Sequence, residues 1–395
     1  MTINELNTFT NVGAYQITMP NSVIFGVGSL SMLPIEVSNR KSKRILIVSD
    51  HGVSKSGLVD LVKDQLRKTD ATIEIFAESE QEPTFKTINS IAYELKNLKS
   101  DFLVGLGGGS CLDTAKGLSI LLAYGGKAED YVGTNNVPNP GIPMCLIPTT
   151  AGTGSEVTNI AIFSDADKET KLGIISSNIL AKTAIIDPAL TFGCPSNVSA
   201  SSGIDALVHA IECYTSLKAT NFTDALSLKA IELISSNIRT AVNDGSNQIA
   251  RKMMSEGALL AGMAFSNASV AAVHALAYPL GAKFHVSHGV ANGVLLPYVM
   301  ESNIDCCAEK YRIIAQLLGV KTNSLSNVEA TRLLIGVLKN LTNSIGIPSN
   351  LRSLGVSNES LEGLAIATMD ISRLLANNPK KLNIDEVRKI WLNAW

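Results

Sequence analysis

The chain changes character once, between about Asp187 and Pro195, and that change limits the folds open to it. Upstream, short apolar runs alternate with helical spacing. Arg44–Asp50 is an apolar run with a polar tip, typical of a buried parallel strand. Leu58–Lys68 has helical periodicity, Thr72–Phe76 alternates like a strand, and Ile88–Leu98 is again helical. Phe102–Leu106 reads as a strand running into glycines that open a helix near Asp113, and Pro143–Ile147 and Ala184–Ile186 are further strands. Such alternation predicts a mostly parallel sheet flanked by helices. Downstream, β-branched runs give way to long helical segments: Asp205–Tyr214, Asp224–Asn237, Ile249–Phe265 and Val328–Leu341. The expected organisation is an α/β dinucleotide-binding domain over residues 1–190 and an all-α domain over residues 191–395, with no internal repeat.

A length of 395 residues, 46% of them hydrophobic and 17% charged, supports two packed cores and excludes disorder. A formal net charge of −2 without runs of like charge gives no nucleic-acid footprint and no membrane-surface patch. The six cysteines form no CxxC pair or disulfide-like framework, so reduced thiols in a cytoplasmic protein are expected. Residues Met1–Pro20 lack the basic start and apolar core of a signal peptide. The most apolar stretch, Ala261–Leu280, is interrupted by Asn267, His274 and Pro279.

Two loops carry cofactor-binding chemistry. Gly107, Gly108, Gly109 and Ser110 follow a strand and precede the helical Leu112–Lys116, which includes Asp113. Glycines there let the backbone approach a phosphate, and the helix N-terminus offers free N–H groups. The pattern is neither GxGxxG nor a Walker loop. A triple glycine alone also serves as a plain tight turn; its place between strand and helix favours phosphate. The second loop, Pro148–Thr158, is rich in hydroxyls and glycines and includes Thr149, Thr150 and Thr153. It suits the wall of a cofactor cleft or a polar connection that caps its own turns. Asp50, at a strand tip, suits the ribose hydroxyls of NAD and would repel the 2′-phosphate of NADP. The same aspartate could instead cap the helix that follows.

Asp205 and His209 stand four apart in a helical stretch, so both side chains share one face. The pair could bind one ion, or the carboxylate could simply orient the imidazole. His274 and His288 favour the ion. On one straight helix they would lie ~21 Å apart, but Pro279-Leu-Gly281 is expected to break the helix and let both rings enter one cleft. One carboxylate with three imidazoles suits Fe²⁺ or Zn²⁺ and lacks the thiolates of a structural zinc site. An ion with an open position favours the alkoxide of an alcohol and polarises the carbonyl in the reverse direction.

Taken together, Gly-Gly-Gly-Ser-x-x-Asp-x-x-Lys at 107–116, Pro-Thr-Thr-Ala-Gly-Thr-Gly-Ser-Glu-Val-Thr at 148–158, Gly-x-Asp-Ala-Leu-x-His-Ala-Ile-Glu at 203–212, His274–Gly281 and Phe284-His-x-x-His-Gly289 resemble the iron-containing (group III) alcohol dehydrogenases, of dehydroquinate-synthase-like fold. The resemblance covers nearly the whole chain. It implies a Rossmann-like N-terminal domain, a helical C-terminal domain and a cleft between them. It implies metal ligands at Asp205, His209, His274 and His288, a pyrophosphate loop at Gly107–Ser110, and adenine- and ribose-side contacts at Asp50, Thr149, Thr150, Thr153 and Lys171. It further implies a cytoplasmic homodimer or larger assembly that interconverts a small alcohol and its aldehyde or ketone with NAD and Fe²⁺. Many members carry histidine where this chain has Tyr278, so the alcohol proton is expected to pass through Tyr278, His285, the cofactor ribose or water. Hydroxyacid–oxoacid transhydrogenases look similar in having tyrosine there, which makes a hydroxy acid the alternative substrate. Ser287 replaces the usual proline before His288 and is expected to loosen that turn.

Overall fold

The computed structural model describes residues 14–165 and 170–395. The stretch read for a signal peptide lies largely outside the described residues. The first half holds β1 (Ser22–Phe25), α1 (Leu33–Asn39), β2 (Arg44–Val48), α2 (His51–Lys55), α3 (Leu58–Leu66), β3 (Thr72–Phe76), α4 (Phe85–Leu95), β4 (Phe102–Gly107), α5 (Gly109–Tyr124), β5 (Gly133–Thr134), β6 (Met144–Pro148), β7 (Ile160–Asp165), β8 (Thr170–Ile175) and β9 (Thr183–Ile186). The second half holds α6 (Ser196–Thr215), α7 (Asn221–Asn243), α8 (Gln248–Ala268), α9 (Ala272–Phe284), α10 (His288–Ser302), α11 (Ile304–Leu317), α12 (Asn327–Ser344), α13 (Leu361–Asp370), α14 (Ser372–Leu375) and α15 (Ile384–Ala394). Among the described residues, no strand follows β9.

Six strands make one parallel sheet in the order β1-β9-β6-β4-β2-β3. Its two faces follow from side-chain alternation along each strand. Leu46, Val48, Leu103 and Leu146 join the core beneath α4 and α5. Ile45, Ile47, Phe102, Val104, Leu106 and Ile147 join the opposite core with α1 and α3. Burial on both faces explains why these strands read as continuous apolar runs. A smaller sheet, β5-β8-β7, contains the antiparallel pair β7–β8 and was not foreseen from the sequence.

From β2 the chain steps outward to β3, returns past β2 to β4, and then continues the other way to β6 and β9. The direction therefore reverses between β2 and β4, and ligands of open α/β sheets bind outside the carboxyl ends of strands at such a point. Asp50 and Gly107 lie at those two ends. The β4–β6 register pairs Gly107 with Pro148, which brings the glycine loop beside the 148–158 loop.

The helical half packs around one large core that includes Ile204, Leu207, Leu276, Leu295 and Trp391. The halves meet closely. A Cβ on Gly154 would lie 2.4 Å from the Cα of Gly262 on α8, and Val157 and Ile186 share an apolar cluster with Leu259.

The expected break at Pro279-Leu-Gly281 does not occur. Helix α9 runs through Pro279, and the chain turns at His285, which caps it in the left-handed region at φ 54. Ala272–Gly281 is buried throughout. Burial of Val273, Leu276 and Leu280, at ~1.5–3 kcal/mol for each large apolar side chain, outweighs the ~3 kcal/mol that an interior proline costs. The sharper bend lies earlier, where α8 and α9 meet at 102° around Ser269. Among the described residues, no single helix is long and apolar enough to cross a membrane; that bent pair passes by length and composition, and its apolar residues serve the helical core.

Candidate active site

A cleft of about 1050 Å³ runs from the carboxyl ends of β2, β4 and β6 to the helical half. Its sheet-side wall includes Asp50, Gly108, Gly109, Ser110, Asp113, Thr149, Thr150, Thr153 and Lys171; its helical end holds Asp205, His209, His274, Tyr278 and His288. One cavity thus gathers nearly every residue singled out in the sequence. Gly107 sits behind the wall. His285, one of the candidates for proton relay, is exposed and stands outside the residues that line the cleft.

The glycine loop is shaped by close approach. Gly107 has φ 148, and a Cβ there would lie 2.5 Å from Cys111 Sγ; a Cβ on Gly109 would lie 2.7 Å from the Thr153 side chain. Gly108 begins the 16-residue α5 without a side-chain cap, so the free N–H groups of that helix face the cleft. Asp50 is the cap of the helix that follows it, and it also borders the cleft. Its Oδ1 accepts from Val53 N at 2.8 Å and caps α2, its Oδ2 accepts from Cys111 Sγ at 3.0 Å, and the side chain borders the cleft.

Asp113 and Lys171 are spoken for by the protein. Asp113 accepts from Ser155 Oγ at 2.6 Å and from Ile162 N at 2.9 Å, which fastens the 148–158 loop to α5. Burial raises its pKa, against the pull of Lys116. Lys116, wholly buried, donates to Thr158 O, Thr158 Oγ1 and Ile160 O. Lys171 on β8 pairs with Glu82 at 2.7 Å, and Glu82 N in turn donates to Ser110 Oγ.

At the other end, α6 presents Asp205 and His209, α9 presents His274, and α10 begins with His288. The Nε2 atoms of His209, His274 and His288 lie 3.9, 3.7 and 3.7 Å from Asp205 oxygens. Bonds of ~2.0–2.2 Å to a tetrahedral ion place donors about 3.3–3.6 Å apart; the donor atoms of Asp205, His209 and His274 lie within 4.8 Å of one another, whereas His288 stands outside that group of three and meets it through Asp205. The donor set fits a divalent ion. Burial drives the imidazoles toward the neutral, ligating form, lowering the pKa of His209 to about 4 and of His288 to about 3. For Asp205 burial opposes ionisation, but His209, His288, His274 and a hydrogen bond from Asn292 outweigh it and lower its pKa.

Sequence reasoning missed several neighbours. Glu212 accepts from His274 Nδ1 at 2.6 Å, so that nitrogen carries the proton and Nε2 keeps its lone pair for a ligand. The same carboxylate accepts from Ala271 N and Val273 N, capping α9 from a different helix. Phe265 stacks on His209 with centroids 4.9 Å apart. Asn292 touches three of the four candidate ligands. Spacing offered a signal for two of these: Glu212 lies seven residues after Asp205, and Asn292 four after His288, each on its ligand's helical face. Tyr278 packs near His288, with centroids 5.9 Å apart. Burial raises its phenol pKa, only partly offset by the guanidinium of Arg373, so it is a poor base at neutral pH.

The cleft thus joins a glycine loop at strand ends to a carboxylate–imidazole cluster that could hold a metal ion. Residues 20–188 match the model of the iron-containing alcohol dehydrogenases, and residues 199–395 match that family's C-terminal model. The chain is 40% identical over 384 residues to long-chain-alcohol dehydrogenase 1 of Geobacillus thermodenitrificans, covering 96% of each. Its structure is similar to a crystal structure of 1,3-propanediol oxidoreductase (TM-score 0.93, 36% identity, 97% of this chain and 100% of the other). It is also similar to sulfoacetaldehyde reductase from Bifidobacterium kashiwanohense in complex with NAD⁺ (TM-score 0.87, 26% identity, 96% of this chain and 98% of the other). The chain belongs to the iron-containing alcohol dehydrogenase family. It is an oxidoreductase that interconverts an alcohol and its carbonyl compound.

Proposed function

We propose that the protein is an NAD(H)-linked dehydrogenase of small alcohols that uses one divalent ion, Fe²⁺ by preference, held by Asp205, His209, His274 and His288. The observation that supports this reading is the cluster of Asp205, His209 and His274, with His288 3.7 Å from Asp205, at one end of a cleft whose other end carries the glycine loop. Held there, a divalent ion would supply Lewis-acid polarisation of the substrate oxygen, and bound NAD would supply the acceptor for the carbinol hydride.

The chain's own residues do the rest. Gly107–Ser110 and the start of α5 receive the pyrophosphate, and Thr149, Thr150 and Thr153 line the same wall. Asp50, one carboxylate oxygen of which faces Cys111, favours ribose hydroxyls over a 2′-phosphate. Asp113 acts indirectly by fixing the 148–158 loop, and Lys171 sets the Ser79–Pro83 edge through Glu82. Glu212 keeps the His274 lone pair directed inward. Tyr278, protonated at neutral pH, offers a hydrogen bond beside the substrate, and the hydroxyl proton leaves through water in the open cleft. A cytoplasmic homodimer is part of the same reading, supported by the family.

Primary alcohols, diols and their aldehydes, assayed by NADH absorbance with Fe²⁺ or Zn²⁺ added, test it. Turnover is expected to need both metal and NAD, and Asp205→Ala and His274→Ala are expected to abolish turnover and lower bound metal. Full activity in a metal-free preparation of either variant rejects the proposal.

A further inference from the structure

Asn292 is fully buried on α10, one turn after His288. Its Nδ2 lies 2.7 Å from Asp205 Oδ1, 3.1 Å from His274 Nε2 and 3.2 Å from His288 Nε2. Those atoms come from α6, α9 and α10, so a single amide nitrogen bridges all three helices at the donor set. The bond to the carboxylate is the strongest of the three, being short and charge-assisted. It fixes one Asp205 oxygen and leaves the other, Oδ2, on the side of His209.

The other end of the amide is poorly served. Asn292 Oδ1 is buried and finds no hydrogen-bond partner among the described residues. A half-satisfied amide in a dry interior costs stability, and a leucine of nearly the same shape would avoid that cost. Fold stability therefore does not account for an amide here.

We propose that Asn292 is a positioning residue of the metal centre, whose amide N–H holds the Asp205 carboxylate in the orientation that serves one cation. This rests on the metal reading above. Asn292 makes no bond to the reacting atoms; it acts through the ligands, as outer partners of metal sites do. Without its N–H groups, the Asp205 carboxylate is free to rotate, and the contacts of Nδ2 with the two imidazole Nε2 atoms, which a cation would displace, are lost as well.

The test is Zn²⁺ affinity of the purified full chain by competition with a chromogenic chelator, alongside the melting temperature of the chelator-stripped protein. Asn292→Leu and Asn292→Ala are compared with the native chain. Both variants are expected to bind Zn²⁺ about 10–100-fold more weakly, while stripped Asn292→Leu melts no lower than the native protein. The visible bands of the Co²⁺-loaded Asn292→Leu protein are expected to shift, reporting altered ligand geometry. Zn²⁺ affinities within twofold of native in both variants overturn the proposal. So does a loss of affinity that only follows a lower melting temperature in both, which would mark a purely structural residue. A native chain that binds no Zn²⁺ or Fe²⁺ removes the metal reading itself, an outcome distinct from either.

Discussion

Buried charge near the cleft gives individual residues most of their leverage. Glu212 shows how one carboxylate serves two ends: it caps α9 through Ala271 N and Val273 N and fixes the tautomer of His274. Glu156 is the contrasting case. It is buried within the 148–158 loop, and burial raises its pKa to about 7, with Lys116 pulling the other way. In the unfolded chain a glutamate titrates near ~4.3. The folded protein therefore holds a proton that the unfolded chain releases as pH rises between those values, and stability falls across that window. The contribution is fully present below about pH 4.3 and lost as pH passes about 7. Glu156→Gln cannot release that proton. The melting temperature of the variant relative to the native chain is expected to rise steadily from pH 4.5 to pH 8, by an amount on the order of 3 kcal/mol in stability at the upper end. A difference that stays flat with pH would show that Glu156 ionises in the folded protein as readily as in water.

At the level of elements, packing at single glycines decides how the cleft is built. Gly289, the second residue of α10, lies against α6 so closely that a Cβ would fall 1.9 Å from Ser201 O. Gly289→Ala must push the start of α10 outward, carrying His288 with it, at a cost on the order of 3 kcal/mol. Gly336 sits within α12 with nothing within 4 Å of its would-be Cβ. Gly336→Ala is expected to stabilise by ~0.4–1 kcal/mol. Urea denaturation should thus give opposite signs for the same substitution, and only Gly289→Ala should weaken Zn²⁺ binding. The sequence disclosed the buried strands β2, β4, β6 and β9 because each is apolar on both faces, and the long helices because their periodicity is strong. It did not disclose β1, a four-residue edge strand, or β7 and β8, whose pairing depends on partners distant from the main sheet. Asp205 and His209 were legible as a pair because a helix makes their spacing a contact. The turn that aims His288 was misplaced at Pro279, since the proline rule is local and the burial that overrides it is not. Glu212 and Asn292 share helical faces with Asp205 and His288, but the bonds that define their roles, to His274 and to Asp205, cross between helices, and spacing along one helix cannot report those.

Across the whole molecule, the two candidate ligands load different halves. Asp205, His209, His274 and His288 all come from helices α6, α9 and α10, whereas Gly107–Ser110 and Thr149–Thr153 belong to the sheet half. Each half has its own cores, and the halves meet at the Gly154–Gly262 approach and a small cluster around Leu259. A ligand stabilises the native state by RT ln(1 + [L]/Kd), about 2.7 kcal/mol at a hundred times Kd, and local opening senses that free energy only where the ligand's contacts are broken. Hydrogen exchange on the native protein should therefore separate the two. Removal of metal by a chelator is expected to speed exchange in α6, α9 and α10 while leaving β2, β4 and β6 nearly unchanged. Addition of NAD⁺ to the chelated protein is expected to slow exchange over residues 107–113 and 148–158 and leave α10 as it was. If chelation instead loosened sheet and helices alike, the contact between the halves would be coupling them into one cooperative unit, and the metal would be stabilising the dinucleotide wall as well as the ends of its own three helices.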